Sequence, residues 1–204
     1  MSAKRLPGMT VSGQILTLDV LDTCKKATGT RALTAVVKNR SLSDVVRSTA
    51  VEYVTRRRDR KVTRTLIRAL SDERVPVRSA AARALGNRSN GTEKPRVMQA
   101  LVNASADVNA MVRLEAVISL RLARYAKAGS VYTKRLSDAE PRVQHAAAEG
   151  LSQLKYAPAI RPLIESLRSR NGLLRELSLK ALRHQTGLNY PEDYPLWLEW
   201  YQNR

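Results

Sequence analysis

One pattern recurs five times along this chain. Val46, Arg47, Ala50 and Val54 are followed 31 residues later by Val77, Arg78, Ala81 and Leu85. A step of 35 gives Val112, Arg113, Ala116 and Leu120, and two further steps of 31 give Val143, Gln144, Ala147 and Leu151, then Leu174, Arg175, Ser178 and Leu182. With the first residue of each copy called x, positions x, x+4 and x+8 share one face of an α-helix, with a small residue in the middle. One such stripe cannot bury itself. Its repetition at a near-constant period confines the chain to units stacked on one another.

A second apolar segment precedes each copy: Ala32–Val37, Val62–Leu70, Val97–Val102, Val131–Leu136 and Ile160–Leu167. Asp72, Asp107 and Asp138 stand five residues before x, where turn or N-cap duty suits a carboxylate. Each unit therefore reads as helix, turn, helix. Composition agrees: phenylalanine is absent and aromatics make up 4% of the 204 residues, so alanine and leucine must fill the core. Small side chains favour closely packed helices over a β-sandwich.

The run from Leu70 to Leu85, with Leu-Ser-Asp, then Val-Arg, Ala and Leu at fixed offsets, resembles the short HEAT-like repeats of bacteria, including those of phycobilisome lyases. The resemblance covers about residues 30–187. It implies an all-α, right-handed α-solenoid of about five helical pairs with terminal capping helices, in a family that mostly binds other molecules. In resembling repeats an Asp–Arg ladder joins neighbouring turns. On this sequence it would use Arg47, Arg78, Arg113 and Arg175 with Asp72, Asp107 and Asp138; Gln144 breaks the arginine series.

The ends depart from the repeat. Residues 1–14 read as a flexible basic arm, 15–29 as an N-terminal capping helix in which Asp19 occupies the small-residue position, 30–187 as the array, and 188–204 as an aromatic cap. Five of the nine aromatics fall in that tail, with Trp197, Trp200 and Tyr201 on one helical face. A bulky helix there can cover the bare face of the last repeat; the competing use is a base-stacking platform. Cys24, the single cysteine, reads as an apolar filler of the first helix and excludes an internal disulfide framework.

The net charge is +18, of which residues 1–100 carry +13. Such a field attracts polyanions: nucleic acid, anionic membrane or acidic proteins. The densest basic run places Arg57, Lys61, Arg64 and Arg68 on one stripe opposite Val62, Leu66, Ala69 and Leu70. Those four are the candidate polyanion contacts, against the alternative of a merely solvated face. The outward positions of the second helices mix Ser48, Glu52, Ser79, Arg83, His145, Glu149, Glu176 and Lys180, so no uniform positive groove is expected there. Leu114 and Ile118 are apolar where solvent is expected. Either the Asn87–Pro95 insertion covers them or they form a protein-docking patch.

Catalytic signatures are thin. His145 and His184 lie far apart, no histidine–glutamate pairs occur, and there is no glycine-rich phosphate loop or nucleophile motif. No cofactor and no metal are expected. The expected function is a cytoplasmic, non-catalytic scaffold binding a protein partner with an acidic surface. Accessory nucleic-acid binding through the phosphate backbone is the alternative, and a DNA-glycosylase-like or lyase-like enzyme the weaker one.

Overall fold

The helical pattern is realised throughout a computed structural model that describes residues 8–23, 27–57, 59–88 and 92–204. Cys24, most of the basic arm and part of the Asn87–Pro95 insertion lie outside the described residues. Twelve α-helices and no strands occur among them: α1 (Val11–Thr23), α2 (Ala27–Lys38), α3 (Asp44–Thr55), α4 (Arg60–Ala69), α5 (Val75–Gly86), α6 (Lys94–Ala104), α7 (Ala110–Leu122), α8 (Gly129–Arg135), α9 (Pro141–Leu151), α10 (Ile160–Ser166), α11 (Gly172–Thr186) and α12 (Tyr194–Gln202). Five pairs, α2/α3 through α10/α11, reproduce the five sequence repeats.

Local chemistry starts and stops these helices. Ser43, Asp59, Asn171 and Asp193 cap α3, α4, α11 and α12, each accepting a first-turn N–H. Proline near the start of α5, α6, α9 and α12 has no N–H to leave unsatisfied. Asp72, Asp107 and Asp138 each accept the backbone N–H two residues on, from Arg74, Asn109 and Glu140, which tightens the turn before α5, α7 and α9.

The chain forms two compact units, residues 1–119 and 120–204. In the first, α3 packs on α2 and α5, α4 packs on α5 and α2, and α6 packs on α4 and α5. In the second, α9 packs on α8 and α11, and α10 on α11 and α12. Val46, Val77, Val112 and Val143 are wholly buried and Leu174 nearly so, as are the residues at x+4 and x+8. Each such aliphatic side chain contributes about 1.5–3 kcal/mol on burial.

The alanines work by proximity. In α5, Ala80, Ala81, Ala82 and Ala84 are buried, and Ser119 of α7 donates its hydroxyl to the carbonyl of Ala82 at 3.0 Å. A methyl group on Gly86 would lie 2.5 Å from the Ser119 hydroxyl and 3.1 Å from its Cα. Only a glycine allows the two helices to meet there.

At the N-terminal end the helix starts earlier than expected. Val11–Gln14, read as part of the arm, form the first turn of α1, and Ala27–Gly29, read as the end of the cap, begin α2. Asp19 fits for a different reason than packing. It accepts the hydroxyl of Tyr53, and Asp22 takes Arg56 at 2.5 Å and Arg57 at 3.2 Å, so both α1 carboxylates meet the end of α3 and the turn after it. The connection from α3 to α4 is held by Arg88. Its guanidinium donates to the carbonyls of Thr55, Arg57 and Asp59 and to the hydroxyl of Thr63.

In the second unit α12 packs on α10. Trp197 has no exposed surface and donates its indole N–H to the carbonyl of Pro191 at 2.9 Å. Tyr190 and Trp200 flank its ring at centroid distances of 5.2 and 5.9 Å. The Trp197 ring is therefore enclosed and not available to stack a base.

Candidate functional site

The recurring arginine at x+1 is spent inside the stack. Arg47, 2% exposed, donates to both carboxylate oxygens of Asp72 and twice to the carbonyl of Val37. Arg78 binds Asp107 through two parallel bonds of 2.8 and 3.0 Å and also reaches the carbonyl of Asp72. Arg113 donates to the carbonyls of Asp107 and Val108. Asp138 pairs with Arg135, three residues back. Arg175 donates to the carbonyl of Ser169 and to Glu192 in the segment before α12.

Gln144 shows what the position requires. Its amide donates to the carbonyl of Asp138 at 2.6 Å, five residues before x, as Arg78, Arg113 and Arg175 do in their own repeats. The backbone half of the arrangement survives without the charge. In the next repeat Ser169 stands where the carboxylate would be, so both members of that ion pair are missing together.

Burial pushes the Asp72 and Asp107 carboxyls up, but their neighbours outweigh it. Hydrogen bonds from Arg47 and the Arg74 N–H, with the charges of Arg47 and Arg40, hold Asp72 below its ordinary value. Arg78, the Asn109 N–H and Arg113 do the same for Asp107.

The basic stripe requires a correction. Arg57 precedes α4 and points back to α1, with its side chain 11% exposed and its guanidinium on the Asp22 carboxylate and carbonyl. It leaves the stripe because α4 begins only at Arg60. Lys61, Arg64 and Arg68 remain exposed on α4, and α2 brings Arg31 and Lys38 to face them. The five cations line a groove of about 480 Å³ between α2 and α4, with Thr30, Thr34 and Thr65 along its length. Asp59 is the carboxylate of the lining, and it is engaged as the cap of α4. None of the five cations makes an ion pair among the described residues. Like charges three and four apart on a helix repel by a few tenths of a kcal/mol each, so an arriving anion relieves that repulsion.

Arg31 and Lys38 were missed in sequence because the charge run was read within one helix. The signal was present: Thr34 and Thr65 are 31 residues apart, so equivalent positions of adjacent first helices lie side by side.

Leu114 is 6% exposed and Ile118 half-buried, so Leu114 is not a free docking residue. At the same x+2 position Ser48, Ser79 and His145 are half-buried. The outward face of the second helices is a mixed ionic surface. Arg83 meets Glu52 at 2.7 Å and Glu115 at 4.0 Å, and Arg121 meets Glu149 at 3.2 Å.

Among the described residues no three or more potential metal ligands cluster, and no helix is long and apolar enough to cross a membrane. The sequence profile of HEAT repeats matches residues 30–121 and 98–183. No curated protein matches in sequence. Among solved structures, the complex of CpcE and CpcF of phycocyanin lyase from Nostoc sp. PCC7120 is similar with a TM-score of 0.64 and 21% identity. The match covers 84% of this chain and 68% of that one. An engineered protein is similar with a TM-score of 0.59 and 18% identity, covering 91% of this chain and 95% of its own. At these identities the likeness is one of fold.

Proposed function

Because the chain belongs to the HEAT-repeat family, we propose that it is a non-catalytic binding scaffold whose α2–α4 groove docks an acidic segment of a protein partner. The observation that carries this reading is the set of five cations, Arg31, Lys38, Lys61, Arg64 and Arg68, gathered on two adjoining helices with a single, already engaged carboxylate. The groove follows α4, whose ten residues span about 15 Å. That length suits a few consecutive acidic side chains. Threonine and alanine make up the rest of the lining, and no aromatic ring stands there to stack a base. A cytoplasmic setting belongs to the same proposal and rests on the sequence, whose single cysteine leaves no internal disulfide.

The test uses an oligoglutamate peptide and a single-stranded DNA of equal charge, titrated against the whole chain across a range of salt. The peptide is expected to bind. Replacing Arg31, Arg64 and Arg68 together by glutamine should weaken it at least about tenfold and flatten the salt dependence by about three counterions. DNA binding tighter than the peptide at every salt concentration would replace this reading with phosphate-backbone recognition. Peptide affinity indifferent to the triple substitution would remove the groove from the function altogether.

A further inference from the structure

A second concave site lies wholly within the second unit and does not rest on the α2–α4 groove. The last turn of α7, the connection after it, α8 and the end of α9 enclose a cleft of about 380 Å³. Arg121, Arg124, Tyr125, Tyr132, Gln153 and Leu154 line it. Its volume sits at the lower end of small-ligand pockets, and its polar groups are few and convergent.

Three features of the lining remain unspent. Tyr132 is 2% exposed, and its hydroxyl oxygen, which is not wholly buried, makes no hydrogen bond among the described residues. Burial pushes the phenol up, so it stays a proton donor at neutral pH. Arg121 gives one nitrogen to Glu149, but its Nε is buried and has no partner. That nitrogen is closed off from the cleft and is a cost in itself; the outer nitrogens of the guanidinium are the ones that can meet a ligand.

The third feature is Arg124. After α7 the chain closes with the Arg124 N–H on the carbonyl of Arg121 and the Tyr125 N–H on that of Leu120, the bond pattern of a glycine-terminated helix. The residue in the left-handed position is an arginine, at φ 47°, the one non-glycine with positive φ among the described residues. α11 also ends on a left-handed residue, with a single bond from its N–H to the Arg183 carbonyl, and there the residue is Gly187, at φ 80°. A side chain at this position is strained, and here it lines the cleft with no ion pair among the described residues.

The charges around the cleft are two guanidiniums and one carboxylate, Glu149, for a net of one positive. The carbonyl ends of α7 and α9 reduce it further. That balance suits a monoanion and disfavours a dianion. We propose that this cleft binds a small aromatic carboxylate, its carboxylate held by Arg121, Arg124 and the Tyr132 hydroxyl and its ring laid against Tyr125 and Leu154.

Benzoate is the probe, with benzamide as its neutral isostere and phenyl phosphate as the dianion. Binding is read on the whole chain by calorimetry and by amide chemical shifts. Benzoate is expected to bind in the millimolar range or tighter, with benzamide at least about tenfold weaker. Arg124→Gly should cost roughly tenfold or more in benzoate affinity, as loss of a charged hydrogen bond does. The same variant should melt at or up to about 3 °C above the wild type, because glycine relieves the left-handed backbone. Tyr132→Phe should cost roughly fivefold. Gln substitutions at Arg64 and Arg68 should leave benzoate binding unchanged. The proposal is overturned if benzoate fails to bind at about 10 mM, if benzamide binds as well, if phenyl phosphate binds better, or if Arg124→Gly binds like the wild type.

Discussion

Asp72→Asn isolates the energy of a buried charge in the stack. The substitution keeps the shape of the side chain and an acceptor for the Arg74 N–H, and it removes the charge facing Arg47. Arg47 is 2% exposed and keeps two bonds to the Val37 carbonyl, so it would remain a buried cation with backbone partners only. Breaking a buried pair from one side costs about 3–5 kcal/mol. The surviving carbonyl bonds place Asp72→Asn near the lower bound, about 3 kcal/mol. The Arg78–Asp107 pair is more open, at 12% and 13% exposure, and water can reach what remains. Asp107→Asn should therefore cost about half as much, on the order of 1–2 kcal/mol.

Urea unfolding followed by circular dichroism measures both. Arg47→Met added to Asp72→Asn removes the stranded cation and should recover about 2 kcal/mol. Acid provides an independent reading. Both carboxyls are held below their ordinary value near 3.8 in the folded chain. Their stabilisation is then fully present above the unfolded-state pKa and lost as pH falls through the lower folded-state one. The wild type should lose stability below about pH 4, and Asp72→Asn should lose less over the same interval. Equal costs for the two asparagine variants, or a double variant no more stable than Asp72→Asn, would refute the reasoning.

Other substitutions probe the packing. Ala81→Leu should overpack the buried face of α5 by roughly 1–3 kcal/mol, and melting at the wild-type temperature would contradict the assigned register. Gly86→Ala should destabilise through its approach to Ser119, and Ser119→Gly in the same chain should recover most of the loss, as thermal melts would show. Trp197→Ala should cost about 3–5 kcal/mol if α12 covers the end of the array, measured by urea titration. Gln144→Arg with Ser169→Asp should rebuild the missing ion pair, visible as a favourable coupling of at least about 0.5 kcal/mol in a double-mutant cycle.

The spine of the fold was readable because its signal is redundant. Fifteen positions on five helices repeat one chemical choice, and burial follows from helical geometry alone. The same logic located the first helices, whereas the Asp–Arg ladder came only as what the family resemblance implies, without saying which arginine meets which aspartate. Single contacts across the repeat were harder. Nothing in the order of residues says that Arg57 turns back to Asp22, since that depends on where α4 starts. Nor does it say that Leu114 is buried while Ser48 and Ser79, at the same offset, are only half so. Arg31 and Lys38 were legible only by comparing neighbouring first helices. Arg124 was invisible: its left-handed backbone is a property of the turn, and the sequence shows an ordinary basic residue.

The hold of Arg88 on the connection between α3 and α4 bears on how this protein could be re-engineered. A single planar group reads the positions of Thr55, Arg57, Asp59 and Thr63 simultaneously. A lysine, with one ammonium at the end of a flexible stem, cannot span four acceptors set apart in this way. Grafting a tag or an extra loop between Thr55 and Asp59 would therefore sacrifice several bonds at once.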